Sequence, residues 1–447
     1  MTSHGATTGE PVRRASLADT VLVGTRVALP LLANGLIKRR PRMQAMAGRL
    51  GLDRQSVALL RRLRARYGPG PLRLRVPGRT VVLPLGGPDV ARLLESASAP
   101  FTPASREKRA ALAHFQPHGV LLSRGAARAR RRELNEAVLE THRPVHGLAE
   151  QITTRIDEEA TDLLGSTGTE LTWDRFACCW WRTVRRIVLG DTARTDDTVT
   201  GLLDRLRLDA NWAYLGPRRA RTFAELSRRL DGYLGRAEQG SLAALLAGQR
   251  EETGAGARDQ MAHWLFAFDA AGMVTLRTLA LLATHPEQAA AAAAELPDGA
   301  VRAARSLPYL RACVLDTVRL WPTTPVLLRD STEDTSWGGT RLPAGSTFLV
   351  VTPFFHRDPD TLPQADRFEP ESWLDGRAEA EPGLVPFSAG PARCPGENLV
   401  LLTASTMLGC LFARRRYVLE SPTGLDPGRP LPATLDNFGL RFRLGAR

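Results

Sequence analysis

Apolar residues recur at helical spacing through most of this chain and alternate only in a few short runs. Residues 56–67 carry an apolar stripe with arginines on the opposite side, the pattern of an amphipathic helix. Two short alternating runs follow, 72–76 and 80–85, with Pro77-Gly78 as the turn between them. Pro88 opens a helix to about Ser96, and 99–120, broken by Pro100, Pro103 and Pro117, reads as loop. An arginine-rich stretch, 123–132, runs into a helix. Helical patterns then fill 148–164, 173–189, 198–212 and 221–235, with Pro217 separating the last two. A glycine-rich linker is expected at 253–257, and the alanine run 289–294 is strong helix former. From Gln260 to His285 the chain is apolar almost all round, the pattern of a helix buried in the core of a large domain. A helix over 307–320 ends at Pro322. Residues 326–329 and 347–352 read as strands, 398–414 as an apolar helix, and 417–420 with 438–444 as a closing β pair. The fold class is therefore mostly α with small β-sheets.

With 447 residues, 43% of them hydrophobic, the chain can bury a large core. We read residues 1–50 as a leader packing on the body, with peripheral membrane contact as the alternative, and 51–447 as a single domain. The leader's apolar run, 21–37, is interrupted by Arg26 and Pro30. Each uninterrupted part is too short to span a bilayer, so no transmembrane segment is expected. The net charge is +13, and arginine supplies nearly all the positive charge because Lys38 and Lys108 are the only lysines. Such a bias reflects a GC-rich coding genome rather than nucleic-acid binding, although a basic face can still steer an acidic protein partner. Five cysteines, Cys178, Cys179, Cys313, Cys394 and Cys410, have no metal-type spacing. The odd number argues against a disulfide framework and fits a cytoplasmic protein.

Chemistry concentrates in residues 387–396, Phe-Ser-Ala-Gly-Pro-Ala-Arg-Cys-Pro-Gly, which feed the apolar helix at 398. A cysteine before a helix N-terminus meets orphan N–H groups and a positive dipole end, which favour thiolate. Gly390 and Gly396 let backbone approach a flat ligand. A thiolate is a haem-iron ligand, and the competing reading is a buried structural cysteine. Asp269 lies in an apolar run, where an ionised carboxylate is costly unless it pairs locally. Asp316 and Arg319 are three apart and share a helix face among apolar neighbours, which makes them a buried pair rather than a surface one. Arg128 and Arg132 also share a face, either solvated or turned to a ligand.

The 387–396 stretch resembles the haem-binding loop of the cytochromes P-450, Phe-x-x-Gly-x-Arg-x-Cys-x-Gly. Phe387, Gly390, Cys394 and Gly396 match, while Ala392 takes the arginine position and Arg393 lies one residue later. Other motifs of that family fall in the same order from about residue 55 onward. Arg128 and Arg132 stand on its Trp-x-x-x-Arg. Asp269 stands on the acid of the central helix, and Ala270 on the oxygen-activating threonine. Asp316 and Arg319 stand on Glu-x-x-Arg, with Arg367 as the expected third member of that network, and Arg329 on a propionate-contacting arginine. The resemblance implies a cytochrome P-450 fold with a long central helix over haem b. Cys394 is then the proximal iron ligand, and Arg128, Arg132, Arg329 and Arg393 lie at the cofactor. Phe387 packs on the ligand loop, Asp269 and Ala270 belong to proton delivery, and the Asp316 network is structural. The implied activity is monooxygenation of a hydrophobic small molecule in secondary metabolism. Electrons come from a separate ferredoxin or flavodoxin, since no nucleotide-binding glycine fingerprint is present. Two other classes stay open. One is a peroxide-using, coupling or rearranging haem-thiolate enzyme, which the missing hydroxyl at Ala270 keeps in view. The other is a non-catalytic partner protein, against which Cys394 speaks.

Overall fold

The computed structural model describes residues 10–249, 255–296, 305–421 and 423–446. The leader begins with β1 (Arg13–Arg14) and α1 (Leu17–Val23), passes through a π-helical turn, Gly24–Ala28, and continues as α2 (Leu29–Asn34) and α3 (Pro41–Leu50). Then come α4 (Leu52–Tyr67), β2 (Leu72–Leu74), β3 (Val81–Leu83), α5 (Gly87–Leu94), β4 (Phe101–Thr102), α6 (Arg106–Leu112) and α7 (Gly125–Val138). The helical body is α8 (Ala149–Ser166), β5 (Glu170–Thr172), α9 (Trp173–Leu189), α10 (Asp197–Ala210), α11 (Ala220–Arg236), α12 (Leu242–Ala247), α13 (Ala255–Thr284), α14 (Pro286–Ala294) and α15 (Pro308–Leu320). The remainder is β6 (Val326–Ser331), β7 (Thr335–Trp337), β8 (Thr340–Leu342), β9 (Thr347–Val351), α16 (Thr352–His356), α17 (Glu371–Leu374), α18 (Glu397–Arg414), β10 (Arg416–Leu419) and β11 (Arg441–Gly445).

Three sheets flank the helices. The largest runs β1-β2-β3-β9-β6-β4, with Leu327 opposite Val350; β10-β11-β5 closes the C-terminus, with Tyr417 opposite Leu444; β7 and β8 form a hairpin. Gly78, at φ 68°, makes the β2–β3 turn that the Pro77-Gly78 pair predicts. A helical core packs around α9, α13, α15 and α18, and a second core lies between the large sheet, α4 and the leader's Ala15, Val23 and Val27. The leader is thus joined to the body by both a strand pairing and a shared core.

The stretch read as loop, 99–120, holds β4 and α6. The Ser105 hydroxyl caps α6 by accepting from the Lys108 N–H at 3.2 Å, so the helix starts at Arg106, three residues after Pro103. The linker expected at 253–257 begins outside the described residues, and from Ala255 the chain is already helical.

Candidate active site

The Cys394 loop is held by its own backbone. The Cys394 N–H donates to the Phe387 carbonyl at 2.9 Å, the Ser388 N–H to Val385 at 3.0 Å, and the Arg393 N–H to Gly390 at 2.9 Å. Ser388 and Gly390 sit in the left-handed region at φ 63° and 62°. A Cβ at Gly390 would stand 1.9 Å from the Leu94 carbonyl, so only glycine fits there. From outside, α7 and the turn after it clamp the loop: Arg132 Nη1 donates to the Arg393 carbonyl at 2.6 Å, and the Thr141 hydroxyl to the Pro395 carbonyl at 2.8 Å. Arg132 therefore parts from Arg128, although the two share a helix face, because it lies one turn further along beside a free loop carbonyl. Arg393 is exposed and forks onto Glu397 at 2.6 and 2.8 Å. Standing one residue later than the resembling motif, it turns to the surface instead of the cofactor side expected for it.

Burial changes the expectation for the sulfur. It pushes the Cys394 thiol up to about 11; Glu397 adds to the rise, while the Gly396 N–H, Arg132 and Arg393 oppose it without prevailing. The helix end alone does not make a thiolate here; a cation set against the sulfur has to. Cys394 keeps part of its surface open, whereas Cys179, Cys313 and Cys410 are buried and their thiols are pushed up further.

From Asp259 to Leu282 every residue of α13 is buried except His263, Phe266, Ala267 and Ala270. These follow the spacing i, i+3, i+4, i+7, so one stripe of an otherwise enclosed helix borders open interior space. Phe115 and Phe266 rings lie 5.4 Å apart, and the Arg207 guanidinium sits 5.1 Å from the Phe266 ring. Burial pushes His263 down to about 4, so its ring is neutral at pH 7. Asp269 is off the stripe. It is paired with Arg207 of α10, with Lys38 Nζ at 3.8 Å. Burial raises its pKa, but Arg207, Lys38 and Arg39 outweigh burial and hold the carboxyl below its ordinary value.

Three cations converge, and among the described residues none of them forms an ion pair with an acid; Asp330 and Glu136 offset Lys108 and Arg128 only in part. Arg329 is 1% exposed; its Nη2 donates to the Ser388 hydroxyl at 3.2 Å and its Nη1 to the Leu328 carbonyl at 3.0 Å, while Nε has no partner among the described residues. Burial and then Arg128 push it down to about 10. Lys108 is pushed down to about 7 by burial, then by Arg329 and Arg128. Arg128, buried and donating to the Val120 carbonyl at 3.3 Å, is lowered by burial and Arg132. Cations that depress one another, and that Asp330 and Glu136 offset only in part, are short of counter-charge, and a group bearing two carboxylates fits them. The Arg329–Ser388 bond joins this cluster to the Cys394 loop. The sequence reading missed Lys108; its signal was only that it is one of two lysines.

On α15, Asp316 and Arg319 are each fully buried. Asp316 accepts from Arg319 Nε at 2.5 Å and Nη2 at 3.1 Å, from the Glu369 N–H at 2.8 Å and from Trp373 Nε1 at 3.1 Å. Arg319 also donates to the carbonyls of His356, Ala365 and Arg367. Arg367 was expected to bring its side chain to this network. Only its carbonyl takes part, and the side chain is exposed, because the carboxylate's remaining positions are filled by Trp373 and Glu369. Phe387 is half-buried against the helical core.

The cytochrome P-450 family model matches residues 242–431. Among curated proteins, a probable cytochrome P-450 4s3 of Drosophila melanogaster is 30% identical over 167 residues, 37% of this chain and 34% of its own length. A cyclooctat-9-en-7-ol 5-monooxygenase of Streptomyces melanosporofaciens is 32% identical over 207 residues, 43% of each chain. The chain thus spans less than half the length of these relatives. Over the whole fold, retinoic acid-bound cyanobacterial CYP120A1 superposes with a TM-score of 0.69 at 18% identity, covering 87% of this chain and 94% of that one.

Proposed function

We propose that this chain is a member of the cytochrome P-450 family and carries out haem-thiolate monooxygenation of a hydrophobic small molecule. The observation that carries this reading is the Cys394 loop hydrogen-bonded through Ser388 to a cation cluster that forms no ion pair with an acid among the described residues. Haem b fits those donors, with the Cys394 sulfur for its iron and Arg128, Lys108 and Arg329 for its two carboxylates. Bound there, haem supplies an iron at which O₂ is activated by two electrons, and the electron-rich sulfur favours O–O cleavage.

The rest of the work falls to the chain. His263, Phe266, Ala267 and Ala270 wall an apolar space that excludes water and orients a greasy substrate. Asp269, ionised and tied to Arg207, has no proton to give while that pair is closed. Ala270 neither donates nor accepts a hydrogen bond. The proton route therefore runs through ordered water, a hydroxyl on the substrate, or Asp269 once Arg207 releases it. Asp316 and Arg319 tie α15 to the backbone of residues 356–369 and to Trp373. Electrons come from a separate ferredoxin or flavodoxin, whose acidic surface suits the exposed Arg130 and Arg393 around the clamped loop and the net charge of +13. The monooxygenase named in Streptomyces supports a substrate from secondary metabolism.

A second reading has its own support. The cavity stripe bears no hydroxyl, and its one titratable group, His263, is neutral, so a peroxide that brings its own protons would suit the site. The test is turnover of a spin-shifting substrate. Product that requires O₂ and a reduced ferredoxin supports the first reading. Product with hydrogen peroxide alone, at a higher rate, supports the second.

A further inference from the structure

Gln116 is fully buried, and neither its side-chain oxygen nor its nitrogen has a hydrogen-bond partner among the described residues. His263 Nδ1 is in the same position. A neighbouring buried amide, Gln260, shows the usual state. Its oxygen accepts from the Val120 N–H and Asn135 Nδ2 at 3.2 and 3.1 Å, and its nitrogen donates to the His118 and Gly256 carbonyls at 3.1 and 2.8 Å. A buried donor and acceptor left unmet cost stability, so an amide with both unmet calls for a reason.

The two side chains face the same space. Asp259, His263, Phe266 and Ala270 follow i, i+4, i+7, i+11 and share one face of α13. The loop after α6 lies along that face and is gripped at two points. The Phe115 and Phe266 rings are 5.4 Å apart, and Asp259 Oδ2 accepts from the His118 N–H at 2.7 Å and lies 3.0 Å from the His118 ring Nδ1. His263 stands between the two gripping residues, its ring 6.0 Å from that of Phe266, and Gln116 between the two gripped ones. Gly119 gives the Gln116 side chain its room, since a Cβ there would stand 2.7 Å from Oε1.

The space suits a neutral group. The charges bordering it are already engaged: Asp259 with Arg258 and His118, and Arg207, which sits on the Phe266 ring, with Asp204 and Asp269. Burial keeps the His263 ring neutral at pH 7. The Gln116 amide offers both a donor and an acceptor, and so does a neutral imidazole. A hydroxyl is the small group that both gives and takes a proton; a ketone or ether only accepts, and a carboxylate only accepts and brings an unpaired charge. Phe115, Phe266 and Ala267 alongside call for an apolar skeleton. His263 precedes Ala270 by seven residues, about 10 Å along the helix. A hydroxyl held here belongs to the end of the substrate remote from Ala270 and is not one that could serve proton delivery there.

We propose that Gln116 and His263 hold a hydroxyl group of an otherwise apolar substrate, selecting an alcohol over its parent hydrocarbon and over the corresponding acid. That the ligand is the substrate rests on the haem-thiolate reading; the binding preference does not. The full-length holoprotein is titrated by calorimetry with farnesol, farnesene and farnesoic acid, and with decanol, decane and decanoic acid. In at least one series the alcohol should bind about tenfold or more tighter than the other two. Gln116→Leu and His263→Phe should each remove most of that preference, whereas His263→Gln, which keeps a donor and an acceptor, should retain it. Without ligand, Gln116→Leu should unfold at a thermal midpoint equal to or above that of the native chain, because it deletes an unpaired buried amide. Three results overturn the proposal: no preference for the alcohol in either series, a preference unchanged in both Gln116→Leu and His263→Phe, or a markedly lower midpoint in Gln116→Leu, which would make the amide structural. The carbon monoxide spectrum separates the two readings. Alcohol preference without the thiolate band fails the haem reading and keeps this one, and the band without the preference does the reverse.

Discussion

Replacing Arg319 by alanine removes one half of an ion pair whose two members are both fully buried. Asp316 would keep its bonds from Trp373 Nε1 and the Glu369 N–H but lose both guanidinium contacts, and the carbonyls of His356, Ala365 and Arg367 would lose their donor. Leaving a buried charge uncompensated costs about 3–5 kcal/mol, a large share of the roughly 5–15 kcal/mol that holds a domain folded. Arg319→Ala should therefore unfold at a markedly lower urea midpoint and be recovered with little or no haem. The assay is urea denaturation followed by far-UV circular dichroism, with haem content from the absorbance ratio. Arg319→Lys keeps the charge but loses the forked geometry and should fall between the two. An unchanged midpoint with full haem in Arg319→Ala would refute the burial and pairing of these two residues.

Arg329→Met should leave the haem-free chain at least as stable, since the arginine is buried without a carboxylate partner among the described residues, while weakening haem retention by about tenfold to a hundredfold; haem transfer to apomyoglobin measures this. Asp269 has a folded-state pKa below its ordinary 3.8, so its stabilisation is present above that value and lost as pH falls through the lowered one. The gap in thermal midpoint between the native chain and Asp269→Asn should hold from pH 5 to 8 and close below about pH 4. Ala270→Thr should raise the fraction of electrons recovered in product, and lower peroxide release, on a substrate analogue lacking a hydroxyl; unchanged coupling there would place the proton route elsewhere.

The helices were legible where local pattern suffices. Trp173–Leu189 is bounded as its apolar stripe and Gly190 demand, and the long apolar run at α13 is the buried axis of the body. The closing β pair was legible too, with Tyr417 opposite Leu444. Residues 99–120 were not, because prolines suggested loop while the Ser105 cap, a two-residue cue, started a helix. In the site, spacing placed Asp316 beside Arg319 because three residues on a helix fix that geometry. Spacing could not reveal that Arg128 turns inward while Arg132 grips a loop carbonyl, since that depends on a chain segment far away in sequence. The same holds for Asp269. Its partners, Arg207 and Lys38, arrive from α10 and the leader, and no local signal announces them. The rise in the Cys394 pKa is likewise a property of tertiary burial, which a helix-end argument does not include.

The central claim is that Cys394 holds a haem iron. Its most direct test is the carbon monoxide spectrum of the dithionite-reduced protein, compared across single cysteine variants. The account requires the red-shifted Soret band of thiolate ligation in the native chain, its survival in Cys313→Ala and Cys410→Ala, and its loss in Cys394→Ala. An intact band in Cys394→Ala would contradict the claim.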